Sequence, residues 1–90
     1  MRRHPAIPLF RLFGVPQRVV IFQRLARQPQ TASALARELP ISRSAVVQHL
    51  TVLRQHGLVE PRSEGRNRVY RVVPAGLAPL AEWLARHRAA

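Results

Sequence analysis

Apolar residues recur at helical spacing from Leu9 to Leu53, alternate with polar ones from Leu58 to Val73, and return to helical spacing towards the C-terminus. Residues 1–8 read as a flexible basic arm punctuated by Pro5 and Pro8, followed by a dense apolar segment at 9–13 that ends at Gly14. So short a segment is not stable as an isolated helix and has to pack on its own core or on a partner chain. Pro16 suits the first turn of a second helix, where its missing N–H is not needed. Val19, Val20, Phe22, Leu25 and Ala26 supply that helix with a buried side, and Gln28-Pro29-Gln30 ends it. Thr31 is placed to cap a third helix over 32–39, with Leu35 and Leu39 on one face and Pro40 as its stop.

The best-marked element is the fourth helix, in the stretch 42–57, SRSAVVQHLTVLRQHG. Ser42 is a good N-cap and Gly57 a good C-terminal stop. At 100° per residue, Val46, His49, Leu50 and Leu53 share one side, while Ser44, Val47, Gln48, Thr51 and Gln55 share the other. Only Pro40 and Ile41 separate this helix from the one before it, the spacing of a helix-turn-helix over 31–57 whose second helix enters the DNA major groove. Residues 58–62 and 68–73 then read as two strands joined by a turn over 63–67, a wing spanning 58–73 with Pro61 suited to an edge strand. A last helix over about 75–88 carries Leu77, Leu80, Ala81 and Leu84 in one stripe and tolerates Pro79 only in its first turn. The expected fold is one domain over 1–90, mainly α with a small β-hairpin, in the order α-α-α-α-β-β-α: a winged helix-turn-helix.

Charge sharpens this picture. Fifteen Lys+Arg stand against four Asp+Glu, a formal charge of +11, and all the basic residues are arginine. Such a field speeds association with nucleic acid or anionic surfaces. With 90 residues the core is modest, so part of the apolar surface is expected to need a second subunit. The absence of cysteine excludes disulfides and thiolate metal sites. No apolar run approaches the roughly 20 residues of a membrane span, and MRRHPAIPLF lacks a signal-peptide profile, so a soluble, cytoplasmic protein is expected. Catalysis finds no support: there is no nucleophile elbow, no phosphate-binding glycine loop, and the carboxylates Glu38, Glu60, Glu64 and Glu82 are scattered over separate elements.

The run ALARELPISRSAVVQHLTVLRQHGLVEPRSEGRNRVYRVVPAGL, residues 34–77, resembles the DNA-binding core of the ArsR-type winged-helix repressors, and the likeness extends more weakly over 11–83. It rests on the spacing of Ser42, His49-Leu50, Leu53-Arg54 and Gly57-Leu58-Val59, together with Glu64-Gly65-Arg66 and Tyr70-Arg71 in the wing. The resemblance implies a homodimeric transcriptional repressor on double-stranded DNA, with the first and last helices at the dimer interface. On that basis Leu9, Phe10, Phe13, Leu77, Leu80 and Leu84 are the candidate interface residues. Ser42, Arg43, Ser44, Val47, Gln48 and Thr51 are the candidate contacts of the recognition helix, and Arg62, Arg66, Asn67 and Arg68 those of the wing. The side-chain chemistry agrees: Gln48 can pair with adenine N6/N7, Arg43 with guanine O6/N7 or with phosphate, and Val47 can touch a thymine methyl. Val47 departs from the polar residue common at its position in the family. Members that sense metals use cysteines where this chain has Thr31 and Ser33, hydroxyls that are poor ligands for such ions. A second family site, on the last helix, retains only Glu82 and His87, five positions apart, so no metal and no cofactor is expected.

Other residues have plainer expected roles. His49 should be a structural histidine bonded to backbone, His4 and His56 solvated, and Trp83 part of a core or interface. Arg24, Arg27 and Arg37 read as a solvated face. Two further function classes stay open: a non-specific architectural nucleic-acid binder, motivated by charge, and a protein-interaction module that keeps the winged-helix shape.

Overall fold

The computed structural model describes residues 3–88. Helices α1 (Ile7–Phe13) and α2 (Pro16–Arg27) lead to a short strand β1 (Gln30–Thr31); then come α3 (Ala32–Glu38), α4 (Arg43–Gln55), β2 (Val59–Glu64), β3 (Asn67–Val72), a 3-10 turn (Pro74–Leu77) and α5 (Ala78–His87). The winged helix-turn-helix expected from the sequence is present.

The amino-terminal segment is more structured than an arm. Pro8 falls in the first turn of α1, where a proline costs no hydrogen bond, so the helix starts at Ile7 and Ala6 is fully buried. His4 is half-buried rather than solvated, and its Nδ1 accepts the Ala6 N–H at 3.0 Å. Met1 and Arg2, the rest of the expected arm, lie outside the described residues. Helix α2 starts at Pro16, but its buried side centres on Ile21 and Leu25, with Ala26 exposed.

The two helices of the helix-turn-helix begin on the expected caps. Thr31 Oγ1 accepts the Ala34 N–H and Ser42 Oγ accepts the Ala45 N–H, each at 3.1 Å, so each supplies an orphan first-turn amide with a partner. Helix α4 ends in a Schellman motif. Leu58 N–H reaches Leu53 C=O at 3.0 Å, Gly57 N–H reaches Arg54 C=O at 2.9 Å, and Gly57 takes the left-handed φ of 71° that favours glycine. The accompanying apolar contact is supplied by Leu53 and Leu58, both fully buried.

The wing strands run further towards the tip, and the turn is tighter, than expected. Pairing runs out to Glu64 opposite Asn67, leaving Gly65-Arg66 as a two-residue turn. Gly65 has φ 62° and Arg66 has no positive φ, the signature of a type II′ turn, whose twist matches that of the flanking strands. Strand β1 was not expected. It pairs Gln30 with Tyr70 and Thr31 with Val69, giving a three-stranded antiparallel sheet in the order β1-β3-β2. Pro61 accordingly lies on an edge strand, where its missing donor breaks no central ladder.

One core joins these elements: Leu9 and Leu12 from α1, Ile21 and Leu25 from α2, Leu35, Val46, Leu50 and Leu53 from the helix-turn-helix, and Leu58, Val59 and Tyr70 from the sheet. Beyond β3, Val73 N–H bonds to Leu58 C=O at 2.8 Å and the backbone of Gly76 lies directly against that of Gly57. The chain entering α5 is thereby held against the C-terminal cap of α4. Pro79 falls in the first turn of α5, as its chemistry requires.

Candidate nucleic-acid interface

Strand β1 ties the start of α3 to β3, which brings α3, the amino-terminal half of α4 and the wing around one groove of about 690 Å³. Arg37 comes from α3, Arg43 and Val47 from α4, and Arg66, Asn67 and Arg68 from the wing; Thr31, Ser33 and Tyr70 complete the wall, and no carboxylate lines it. Arg43 Nε donates to Ser33 Oγ at 3.0 Å, and the Arg68 guanidinium lies over the Tyr70 ring, 5.6 Å from its centroid. All four glutamates are engaged elsewhere: Glu38 with Arg24, Glu60 with Arg62 at 3.8 Å, Glu64 with Arg71 at 3.5 Å and Glu82 with Arg86 at 2.8 Å. Exposed pairs of this kind add little stability, but they leave the groove arginines without a protein counter-charge.

The structure separates the residues singled out in the sequence. Arg43, Val47, Arg66, Asn67 and Arg68 meet in the groove. Ser44 and Gln48 are exposed on α4 outside it, and Val47 is half-buried and packs partly against the core. Ser42 uses its hydroxyl as the helix cap, and the Thr51 hydroxyl donates back to the Val47 carbonyl at 2.9 Å. Arg62 does not join the others. Cross-strand pairing places Arg68 with Ser63 and Tyr70 with Pro61 on one face, while Arg62 pairs with Val69 on the other, beside Glu60. Arg37, Ser33 and Tyr70 were missed. The i, i+4 spacing of Ser33 and Arg37 does put both on the α3 face away from Leu35, but only β1 turns that face towards the wing.

His49 is not bonded to backbone. Its Nδ1 accepts from Arg18 Nε at 3.3 Å, across from α2, so the ring is neutral in this arrangement. Burial first, and the Arg18 charge second, push its pKa below the usual 6.5. The unfolded chain therefore takes up a proton on this residue at a higher pH than the folded one does. Stability is expected to fall as pH drops below about 6.5 towards the lowered value, and to be level above it. Thermal melts of wild type and His49→Gln from pH 5 to pH 8 test this; a slope below pH 6.5 that survives in the variant would assign it to another group.

On the apolar side, α1 and α5 lie together. Phe10 meets Trp83 edge to face at 5.0 Å between centroids, and Trp83 stacks on His87 at 4.3 Å. Leu9 lies in the core at 5 % exposure; Phe13 packs on Phe22, and Leu77 and Leu80 lie partly buried against the core. Among the described residues, the large apolar side chains left in solvent are Phe10 at 43 % and Leu84 at 57 %. Among the described residues, no three His, Asp or Glu side chains converge as metal ligands, and no helix is long and apolar enough to cross a membrane.

A capped helix-turn-helix flanked by a basic two-stranded wing defines a winged helix-turn-helix domain. Known proteins place it more narrowly. The family model described as "Helix-turn-helix domain" matches residues 15–62. The HTH-type transcriptional regulator Rv2034 of Mycobacterium tuberculosis is 51% identical over 63 residues, a match that takes in 70% of this chain and 59% of that regulator. An ArsR-like transcriptional regulator from Rhodococcus sp. RHA1 superposes with a TM-score of 0.81 at 38% identity, covering 91% of this chain and 77% of that one. HlyU from Vibrio cholerae N16961, in its reduced form, superposes with a TM-score of 0.74 at 28% identity over 96% of this chain and 90% of that one, so the likeness takes in the terminal helices. The chain belongs to the ArsR-like family of helix-turn-helix transcriptional regulators.

Proposed function

We propose that the protein is a sequence-specific double-stranded-DNA-binding transcription regulator, a cytoplasmic repressor that acts as a homodimer on a partly palindromic operator and catalyses no reaction. The observation that carries this reading is the acid-free arginine groove running beside the uncharged, hydrogen-bonding outer face of α4. The arginines suit phosphates, and Ser44 and Gln48 suit base edges. Phe10, Trp83 and Leu84 offer a self-complementary apolar face for a two-fold dimer, whose half-sites would lie roughly 34 Å apart or a multiple of that. Bound over a promoter, such a dimer represses by excluding polymerase.

The test is a selection of genomic DNA fragments by the purified protein at two salt concentrations. A few palindromic sites that survive the higher salt are expected, and Gln48→Ala should lose about 1–3 kcal/mol of discrimination at one base pair of each half-site. The formal charge of +11 also fits a non-specific binder. That reading predicts enrichment without a shared motif that vanishes as salt rises, and such a result would replace the proposal.

A further inference from the structure

Helix α4 carries its solvent-side residues in two stripes. Ser44 and Gln48 sit opposite the buried Val46, Leu50 and Leu53 and line neither cleft beside the wing. Arg43, Val47, Thr51 and Arg54 form the flank nearest the wing. Arg43 and Val47 line the larger groove; Thr51 and Arg54, with Gln55 from the edge of the Ser44–Gln48 stripe, line a second cleft of about 350 Å³, which shares Arg68 and Tyr70 with the first. Gln48 is about 140° from Arg43 around the helix axis, so the two residues address different parts of a duplex.

We infer that this wing-side flank is a phosphate track, in which Arg43, Arg68 and Arg54 hold successive phosphates of one DNA strand while base reading falls to Ser44 and Gln48. The inference rests on the DNA-binding reading and resolves the two roles open to Arg43, guanine or phosphate. Charge balance is the first argument. Arg37, Arg43, Arg66 and Arg68 face one groove with no carboxylate among them. Base edges are neutral and cannot offset four crowded guanidinium charges, whereas a phosphodiester strand supplies one negative charge per nucleotide. Orientation is the second. Ser33 Oγ engages Arg43 Nε and draws that guanidinium back over α3, and the Tyr70 ring holds that of Arg68 against the wing. Length is the third: Arg43 and Arg54 stand about 16 Å apart along the helix axis, too far to share one phosphate, so each has to meet its own charge of the strand. Ser33 is a positioning residue that acts through Arg43.

The test measures affinity across a salt series for the fragment most enriched by the wild type and for a scrambled duplex of equal length. Arg43→Ala and Arg54→Ala should each weaken both duplexes by about tenfold, leave their ratio unchanged, and lower the log–log salt slope by about 0.9. Ser33→Ala should move affinity and slope in the same direction, and should add nothing when combined with Arg43→Ala. Gln48→Ala should do the reverse of the arginine variants, keeping the slope and collapsing the ratio. An Arg43→Ala protein that loses only the enriched fragment, at unchanged slope, would make Arg43 a base reader and overturn the track. So would unchanged slopes in both arginine variants. A wild type that binds the two duplexes equally would end the sequence-specific reading, yet the slopes would still decide the track.

Discussion

Gly76→Ala is expected to destabilise the protein by about 3 kcal/mol, lowering the melting temperature by roughly 15 °C. A Cβ at Gly76 would stand 2.2 Å from the carbonyl oxygen of Gly57 and 2.8 Å from its carbon, with the Leu58 Cα at 3.1 Å. All three neighbours are backbone, and they belong to the Schellman cap that ends α4, which cannot yield without breaking its own hydrogen bonds. Gly57→Ala is the informative control. It has open space around a new Cβ, so it should cost only the strain of a left-handed φ, about 1–2 kcal/mol. Thermal unfolding followed by circular dichroism checks both. Equal losses would mean that the chain between β3 and α5 shifts freely off the cap.

Leu84→Glu is expected to leave the chain folded and to raise the dissociation constant of the proposed dimer by more than about 100-fold. Leu84 is 57 % exposed, so in the protomer the substitution is a surface change worth within about 0.5 kcal/mol. In a two-fold interface through Phe10, Trp83 and Leu84 the same substitution buries two uncompensated carboxylates at once. Sedimentation equilibrium of both proteins at micromolar concentration makes the comparison. A variant that self-associates like the wild type would move the interface away from this face, and a monomeric wild type would remove the dimer altogether.

Much of the architecture was legible because it is written locally. Ser42 and Thr31 are caps by their own side-chain chemistry, Gly57 is a stop by its lack of a Cβ, and the spacing of Val46, Leu50 and Leu53 fixes which side of α4 is buried. What was not legible depends on partners distant in sequence. Gln30-Thr31 carries no strand pattern and becomes β1 only through pairing with Tyr70 and Val69, and the same pairing turns Ser33 and Arg37 towards the wing. Leu9 and Phe10 are adjacent and equally apolar, yet one lies inside the protomer and the other in solvent, a distinction set by where α2 and α5 pack. His49 was recognisable as an inward-facing residue, but its partner Arg18 comes from another helix and had no local signal. Arg62 shows the cost of grouping wing arginines by charge alone: it pairs with Val69 beside Glu60 and lies outside the groove that Arg66 and Arg68 line.

The sheet has two ends, and each is closed to further growth. On one side Pro61 interrupts the row of donors along β2 and Arg62 projects a charge beside it; on the other, β1 is two residues long and follows Pro29. A free strand edge is a template for aggregation, and proline, charge and brevity are what blunt one. Copies that met through their wings would therefore not zip into a shared ladder.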